Sequence, residues 1–418
     1  MKATTKALER YQRYFWNRLH DKGATWQQIE AVYPQIKRIW GQAADLDWFW
    51  AIRTFQETRG LWRDKIAWVE RGLELAKSDE RGKLLHNLGW AYEVLSDREQ
   101  ALAYYQESLA LAADALQKAN ALNSIGVIYH ARGQHDKALK FYEQALALQA
   151  DQAVTDVLAA TLSNLGRLLG SLGNREEAVA YFEQATAVWE QLDDARGLTT
   201  AFNSMGVLLC DWQQHEAALP HFEKALALAE TAGLLFEQSF TLNNLGMVYN
   251  AQRQHEAALA SYEQALALMT KLGNEGGVGR VLSNLGRTLR LLGRYDQAQA
   301  YYERSLASKR ATGDQSGEAT TLNNLGLLAL KMGEAEQALD YYLQALPIRQ
   351  QVGNKQGELL TRYDLHTIYL EQGDLATAIE HIEQAVRLCR ETGSPYLARV
   401  EREWEALLLQ SIATSGVS

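Results

Sequence analysis

The sequence predicts an all-α solenoid, a row of helical hairpins stacked one on the next, and three observations predict it. Glycine returns at a fixed interval: Gly126, Gly166, Gly206, Gly246, Gly286 and Gly326 are 40 residues apart, Gly89 precedes them by 37, and His366 takes the next place. A self-similar period of this length marks stacked repeats. Twelve residues after each of these positions stands a small residue, at Ala101, Ala138, Ala178, Ala218, Ala258, Ala298, Ala338 and Ala378, followed by a ring at Tyr105, Tyr142, Phe182, Phe222, Tyr262, Tyr302 and Tyr342, with Ile382 last. Only 4 prolines interrupt 418 residues, and Ala, Leu, Gln and Glu fill nearly every segment, so helix is favoured throughout and little or no strand is expected.

The elements follow in order. Residues 1–45 read as an N-terminal helical hairpin, with helix over 5–44 broken near Lys22-Gly23, and residues 46–81 as a degenerate repeat in which Gly60 aligns with Gly133. Seven of the 11 tryptophans fall before residue 82, and Trp90 follows closely. Rings at this density suit a cap, because the end of a repeat array must hide an apolar face. Residues 82–398 form eight units beginning at 82, 119, 159, 199, 239, 279, 319 and 359. Within each, two antiparallel helices approach closely where Gly and Ala face each other, and the ring fills the remaining space. A second glycine set, Gly233, Gly273, Gly313, Gly353 and Gly393, suits the left-handed position that ends each second helix. Asn274, Asp314, Asn354 and Ser394 follow as caps for the next helix. The last unit, with His366 and Ile382, departs from the pattern as a terminal repeat does. Residues 399–418 supply a capping helix through Leu409 and then a polar tail.

Over residues 82–398 this pattern resembles the tetratricopeptide repeat in the 40-residue form of kinesin light chains and bacterial regulators. The resemblance implies a right-handed superhelix whose first helices line a concave face. The run from Trp50 to Ala76, with Arg59-Gly60-Leu61-Trp62 and Trp68-Val69-Glu70-Arg71-Gly72-Leu73, resembles the start of the sensor arm of bacterial STAND ATPases.

Composition narrows the function. A formal charge of −9 gives no basic footprint for phosphate backbones or anionic lipids, so neither nucleic acid nor a membrane is the expected partner. Cys210 and Cys389 stand far apart with no metal-ligand spacing, which fits a reducing cytoplasm. No apolar stretch is long enough to span a bilayer, and Met1 to Arg10 lacks the apolar core of a signal peptide.

Catalytic chemistry finds little support. Gly273-Asn274-Glu275-Gly276-Gly277-Val278-Gly279-Arg280 imitates a phosphate loop, but a preceding strand is not expected and Arg280-Val281 replaces Lys-Ser/Thr. His135, His215 and His255 share one slot with Tyr295, a repeat apart, and so do not converge on a metal. Cys210 reads as a small buried thiol. No enzymatic role and no cofactor is expected.

What remains is binding. In the resembled family positions two, five, six, nine and twelve of each first helix point inward. Here position six is Asn87, Ser124, Asn164, Ser204, Asn244, Asn284, Asn324 and Asp364, and position five is His86, Asn123, Ser163, Asn203, Asn243, Ser283, Asn323 and Tyr363. Amides donate and accept together, so such a row can hold the backbone of an extended peptide. Alternatively, position five, and less readily position six, only fastens neighbouring helices. Position nine carries Arg167, Met247 and Arg287; with Arg280 and Arg290 these make a cationic face in an acidic chain, either an anion site or a solvated stripe paired with glutamates. The expected groove is Asn164, Arg167, Asn244, Met247, Arg280, Asn284, Arg287, Arg290 and Asn324. The expected ligand is an acidic protein segment or peptide, and the chain a monomer or weakly self-associating. The role is that of the ligand-sensing or adaptor module of a bacterial signalling protein. A receptor for a signalling peptide and a self-assembling structural array are the alternatives.

Overall fold

A computed structural model of the chain describes residues 26–42, 46–59, 61–95, 97–150 and 153–415. Trp16, the break at Lys22-Gly23 and Gly60 lie outside the described residues. Among the described residues there are helices and turns and no strand. The helices are α1 (Trp26–Gln42), α2 (Asp47–Arg59), α3 (Trp62–Leu75), α4 (Ser78–Val94), α5 (Arg98–Ala110), α6 (Ala115–Ala131), α7 (His135–Ala147), α8 (Asp156–Ser171), α9 (Arg175–Gln191) and α10 (Ala195–Asp211). They continue as α11 (His215–Thr231), α12 (Leu235–Ala251), α13 (His255–Leu272), α14 (Glu275–Leu291), α15 (Tyr295–Thr312), α16 (Gln315–Met332), α17 (Ala335–Gln351), α18 (Lys355–Glu371), α19 (Leu375–Thr392) and α20 (Leu397–Ser415). From α4 to α19 the even-numbered helices are first helices and the odd-numbered ones second helices of the repeat.

The chain divides into two compact units. The first holds residues 1–252 and 267–274, the second 253–266 and 275–418. In the first, α1 to α3 pack onto the opening hairpin. Tyr33, Phe49, Trp68 and Val69 share one core with Leu84 and Leu88 of α4, and the Tyr33 and Trp68 rings stack at 6.3 Å. The fully buried Lys65 donates to Glu57 at 2.7 Å and lies over the Trp90 ring at 4.0 Å. Burial pushes its pKa down to about 8 against the pull of Glu57, a cost that the carboxylate and the indole offset in part.

The repeating glycine is in direct contact with the repeating ring. A β-carbon placed on Gly126 would lie 2.5 Å from Tyr142, and one on Gly326 2.7 Å from Tyr342, distances that no carbon pair tolerates. The ring therefore lies flat on the first helix and excludes any side chain there. In α18 and α19 the exchange is mutual: His366 takes the glycine position, Ile382 the ring position, and both are buried. His366 Nδ1 faces the Ala378 carbonyl oxygen at 3.1 Å, so the imidazole fills the volume that the ring fills elsewhere.

Turns obey the same register. Gly233, Gly273, Gly313, Gly353 and Gly393 are left-handed, with φ between +63° and +72°, and Asp314 and Asn354 then cap the next helix by accepting from the amides of Gly317 and Gly357 at 2.8 Å. Within the hairpins the equivalent turn glycines are Gly133, Gly173, Gly293, Gly333 and Gly373; Gln213 and Arg253 hold this place without glycine at φ 63° and 61°. The last helix differs from expectation. It starts at Leu397 and runs to Ser415 instead of ending near Leu409, because the first helix-breaking residue after it is Gly416.

Candidate functional site

Neighbouring first helices pack side by side in the first unit, α4 on α6, α6 on α8, α8 on α10 and α10 on α12, and in the second α14 lies on α16. Adjacent helical residues diverge by about 100°, so the glycine at position eight meets its ring, position five turns into the seam between hairpins, and position nine emerges.

The seam consumes the amide row. Asn164 Nδ2 donates to Asn123 Oδ1 at 3.0 Å. Asn203 Nδ2 donates to Thr241 Oγ1 at 2.7 Å and its Oδ1 accepts from Asn244 Nδ2 at 3.4 Å. Thr361 Oγ1 donates to Asn323 Oδ1 at 3.2 Å, and His86 Nε2 faces Ser124 Oγ at 2.9 Å. Positions five and six thus bond one hairpin to the next. For Asn164 and Asn244 this corrects the expectation of an amide turned to a ligand, and Asn244 is also buried. Asn284 and Asn324 are half-buried.

Position nine is open at some hairpins, whereas Trp90, Val127 and Leu327 at the same place are partly buried against the cores. In the first unit Arg167 is exposed, and Val207 and Met247 expose 41% and 53% of their surface, far more than a packing residue would. Phe236 and Phe240, also exposed, share the Met247 face of α12 at helical spacing. The sequence reading named neither: Phe236 precedes the unit that begins at 239, and Phe240 stands at its position two, an inward place used there only for Arg280. Arg167 acts on Glu93 and His130, and His130, desolvated and next to that cation, is pushed down to about 4.

The second unit carries the arginine face. Arg280 and Arg287 are exposed and Arg290 half-buried, all on α14. The three differ in what they meet. Arg280 acts on Asp314, a carboxylate that burial would raise but that Lys309 at 2.6 Å, the Gly317 amide and Arg280 together hold below the usual range. Arg290 lies beside the phenol of the fully buried Tyr302; the Tyr302 hydroxyl and Arg290 Nε have no hydrogen-bond partner among the described residues. Asp364, at position six of the last hairpin, is pushed up to about 6, chiefly by burial and against the pull of Arg349.

Four successive stretches, residues 80–151, 157–231, 237–311 and 317–394, match the family described as Tetratricopeptide repeat. The chain belongs to the tetratricopeptide-repeat family. Solved structures share its fold at low identity. A Signal Transduction ATPase with Numerous Domains (STAND) protein with a tetratricopeptide-repeat sensor, from Pyrococcus horikoshii, superimposes with a TM-score of 0.54 at 14% identity, over 93% of this chain and 56% of that one. This chain therefore spans little more than half the length of the STAND protein. A Rap protein complexed with Competence and Sporulation Factor gives 0.53 at 15% identity, over 90% and 99%, and the apo form of RapI gives 0.50 at 16%, over 66% and 99%. No curated protein matches the chain in sequence.

In this tetratricopeptide-repeat protein the phosphate-loop imitation is an inter-repeat turn: Gly273 is left-handed and α14 begins at Glu275. Among the described residues no group of three or more His, Cys, Asp or Glu is placed to hold a metal ion, and no helix is long and apolar enough to cross a membrane. Burial pushes the Cys210 thiol up to about 11, which keeps it protonated and unreactive near neutral pH.

Proposed function

We propose that the chain is a protein- or peptide-binding scaffold, the ligand-sensing or adaptor module of a signalling protein, and that its ligand lies along the open rows of the first helices. The observation that carries this reading is the contrast between adjacent positions. Positions five and six fasten several hairpins to the next, while position nine is exposed at Arg167, Val207, Met247 and Arg287. Large exposed apolar groups such as Met247, Val207 and Phe240 on one helical wall mark an interaction surface. In the second unit the ligand is an acidic segment held by the arginine face, with Arg287 its principal contact. Free Cys210 and Cys389 fit a cytoplasmic setting. The STAND protein with a repeat sensor supports the sensor role. The Rap protein, solved with Competence and Sporulation Factor, supports a second reading in which the ligand is a signalling peptide.

The test compares captured partners by pull-down and mass spectrometry, followed by affinity measurement on the purified pair. Arg287→Ala is expected to weaken an acidic partner at least about tenfold, the effect of losing a charge-assisted contact, and the affinity should fall with added salt. Arg304→Ala, an exposed change on the second helix α15, should leave it unaltered. The reverse pattern would move the working surface to the second helices.

A further inference from the structure

Three hairpins stack a ring at position eleven of the first helix on a second-helix ring. Tyr129 and Phe141 stack at 5.3 Å with 5° between their planes, Tyr369 and His381 at 5.5 Å and 5°, and Tyr92 and Tyr104 at 5.4 Å and 21°. In the first two the chain sets its own cation beside the rings: Lys137 Nζ lies 5.2 Å over Tyr129, and Arg362 acts on His381. The quadrupole of an aromatic face attracts such a charge. In the opening hairpin the place of Lys137 is held by the exposed Gln100, and among the described residues no cation lies over Tyr92 or Tyr104. Carboxylates gather there instead. Burial raises both phenols, and the negative charge of Glu70 and Asp97 raises Tyr92 further, as that of Glu70 and Glu107 does Tyr104. All three carboxylates are exposed. Asp97 caps α5 by accepting from the Gln100 amide at 3.1 Å, while Glu70 and Glu107 have no ion-pair partner among the described residues, Arg71 being paired with Glu74. The turn after Tyr92, closed by the Asp97 amide donating to the Tyr92 carbonyl oxygen at 2.9 Å, exposes 43% of Val94 and 38% of Leu95. Both tyrosines rest on the core that joins α1 to α3 to the array, which holds the rings in place. Position eleven turns about 200° from position nine, so this face looks away from the open side of α4.

We propose that this face docks a basic segment of a partner protein, with one Lys or Arg side chain lying over the Tyr92–Tyr104 stack among Glu70, Asp97 and Glu107. That side chain takes the place that Lys137 takes over Tyr129, and an aliphatic neighbour in the segment covers Val94 and Leu95. Charge selects the occupant. Aromatic faces accept many apolar groups, but three carboxylates around them favour a cation and repel an acidic segment of the kind proposed for the arginine face. The surface is therefore a second one with the opposite preference, and it needs nothing of the groove reading.

Fluorescence anisotropy on the whole chain tests this with two fluorescein-labelled, amidated peptides, Gly-Leu-Lys-Leu-Arg-Gly and its neutral counterpart Gly-Leu-Gln-Leu-Gln-Gly. The basic probe should bind the more tightly. Gln100→Lys supplies the cation from within the chain and is expected to weaken the basic probe at least about fivefold without lowering the melting temperature. Tyr92→Leu installs the residue that Leu169, Leu209 and Leu289 hold at the same position, and should weaken the probe about two- to fivefold, the effect of one exposed cation–ring contact. Glu70→Gln should act by a similar factor, whereas Glu223→Gln, which removes an exposed carboxylate from α11, should have no effect. Arg287→Ala should not weaken this probe, so failure here and failure of the groove reading are told apart. If Glu223→Gln weakens the probe as much as Glu70→Gln, or if Gln100→Lys binds it as tightly as the parent, diffuse charge explains the binding and the face is not a docking site. A parent chain that binds both probes alike, or neither, overturns the proposal as well.

Discussion

At the scale of the residue, the most informative exchange is the one that ends the array. Seven hairpins pair a small first-helix residue with a large second-helix ring, and the eighth pairs His366 with Ile382. His366→Gly should open a void over Ile382 and cost about 2–4 kcal/mol. Ile382→Tyr should overpack against the imidazole and cost about 1–3 kcal/mol. Together they rebuild the pair found in the other hairpins, so the double variant should be more stable than either single one. Urea melts of the four chains check this, and additive losses would show that the two residues are not coupled. The spacing of glycine and ring was legible from sequence alone, because a 40-residue recurrence of one residue type needs no structure to be seen. That the ring lies on the glycine was not, since spacing says nothing of direction. The amide row failed for a related reason. Asn164 and Asn244 occupy positions that the frame places inward, yet whether an inward amide meets a ligand or the neighbouring hairpin depends on Asn123 and Asn203, whose own orientation only packing decides.

At the scale of the element, helix termini explain why the repeat tolerates so much variation elsewhere. The turn inside seven of the hairpins, from Gly133 to Gly373, holds a left-handed residue, a conformation that costs a residue with a side chain about 1–2 kcal/mol. Gln213 and Arg253 accept that cost, at φ 63° and 61°. Gln213→Gly and Arg253→Gly should each stabilise the chain, by up to about 1 kcal/mol once the greater freedom of glycine in the unfolded chain is set against the relief of strain. Thermal melts suffice to check it; a loss of stability would mean that the side chains do more in the fold than their exposed setting suggests. The last helix teaches the complementary lesson. A stop was expected after Leu409 because polar residues follow, but Ser411 to Ser415 contain no breaker, and composition alone does not end a helix.

At the scale of the whole molecule, each hairpin touches chiefly its neighbours, so stability is a sum of local terms that need not respond alike to one change of condition. Acid makes this visible. Burial pushes His86 and His130 down to about 4, below the value of about 6.5 in an unfolded chain. Between these values the unfolded chain binds more protons than the folded one, so the contribution is complete above pH 6.5 and is lost as the pH falls towards 4. Asp364, pushed up to about 6, has the opposite sign and favours folding as the pH falls from 6 towards its unfolded value. Burial also pushes Glu93 on α4 up and His366 on α18 down, so each stretch carries both signs. With two lowered histidines in α4 to α7 against one in α16 to α18, hydrogen exchange at pH 5 should loosen α4 to α7 first. Uniform loosening, or the reverse order, would contradict the assignment. Finally, the constancy of the interval between glycines speaks to how such a gene can change. Between residues 159 and 358 each block of 40 residues begins and ends at equivalent joints, with a ring on the glycine and a left-handed residue, Asp193, Gly233, Gly273, Gly313 or Gly353, before the next block. Recombination between any two copies therefore removes or adds a whole hairpin in frame and in register. A chain lacking residues 199–238 should fold, with α9 meeting α12 as it now meets α10, whereas a deletion two residues shorter would turn every later first helix by about 200° and should not. Lineages carrying this sequence can thus lengthen or shorten their reading surface in single steps, and the number of hairpins is expected to vary among relatives more freely than the length of any one.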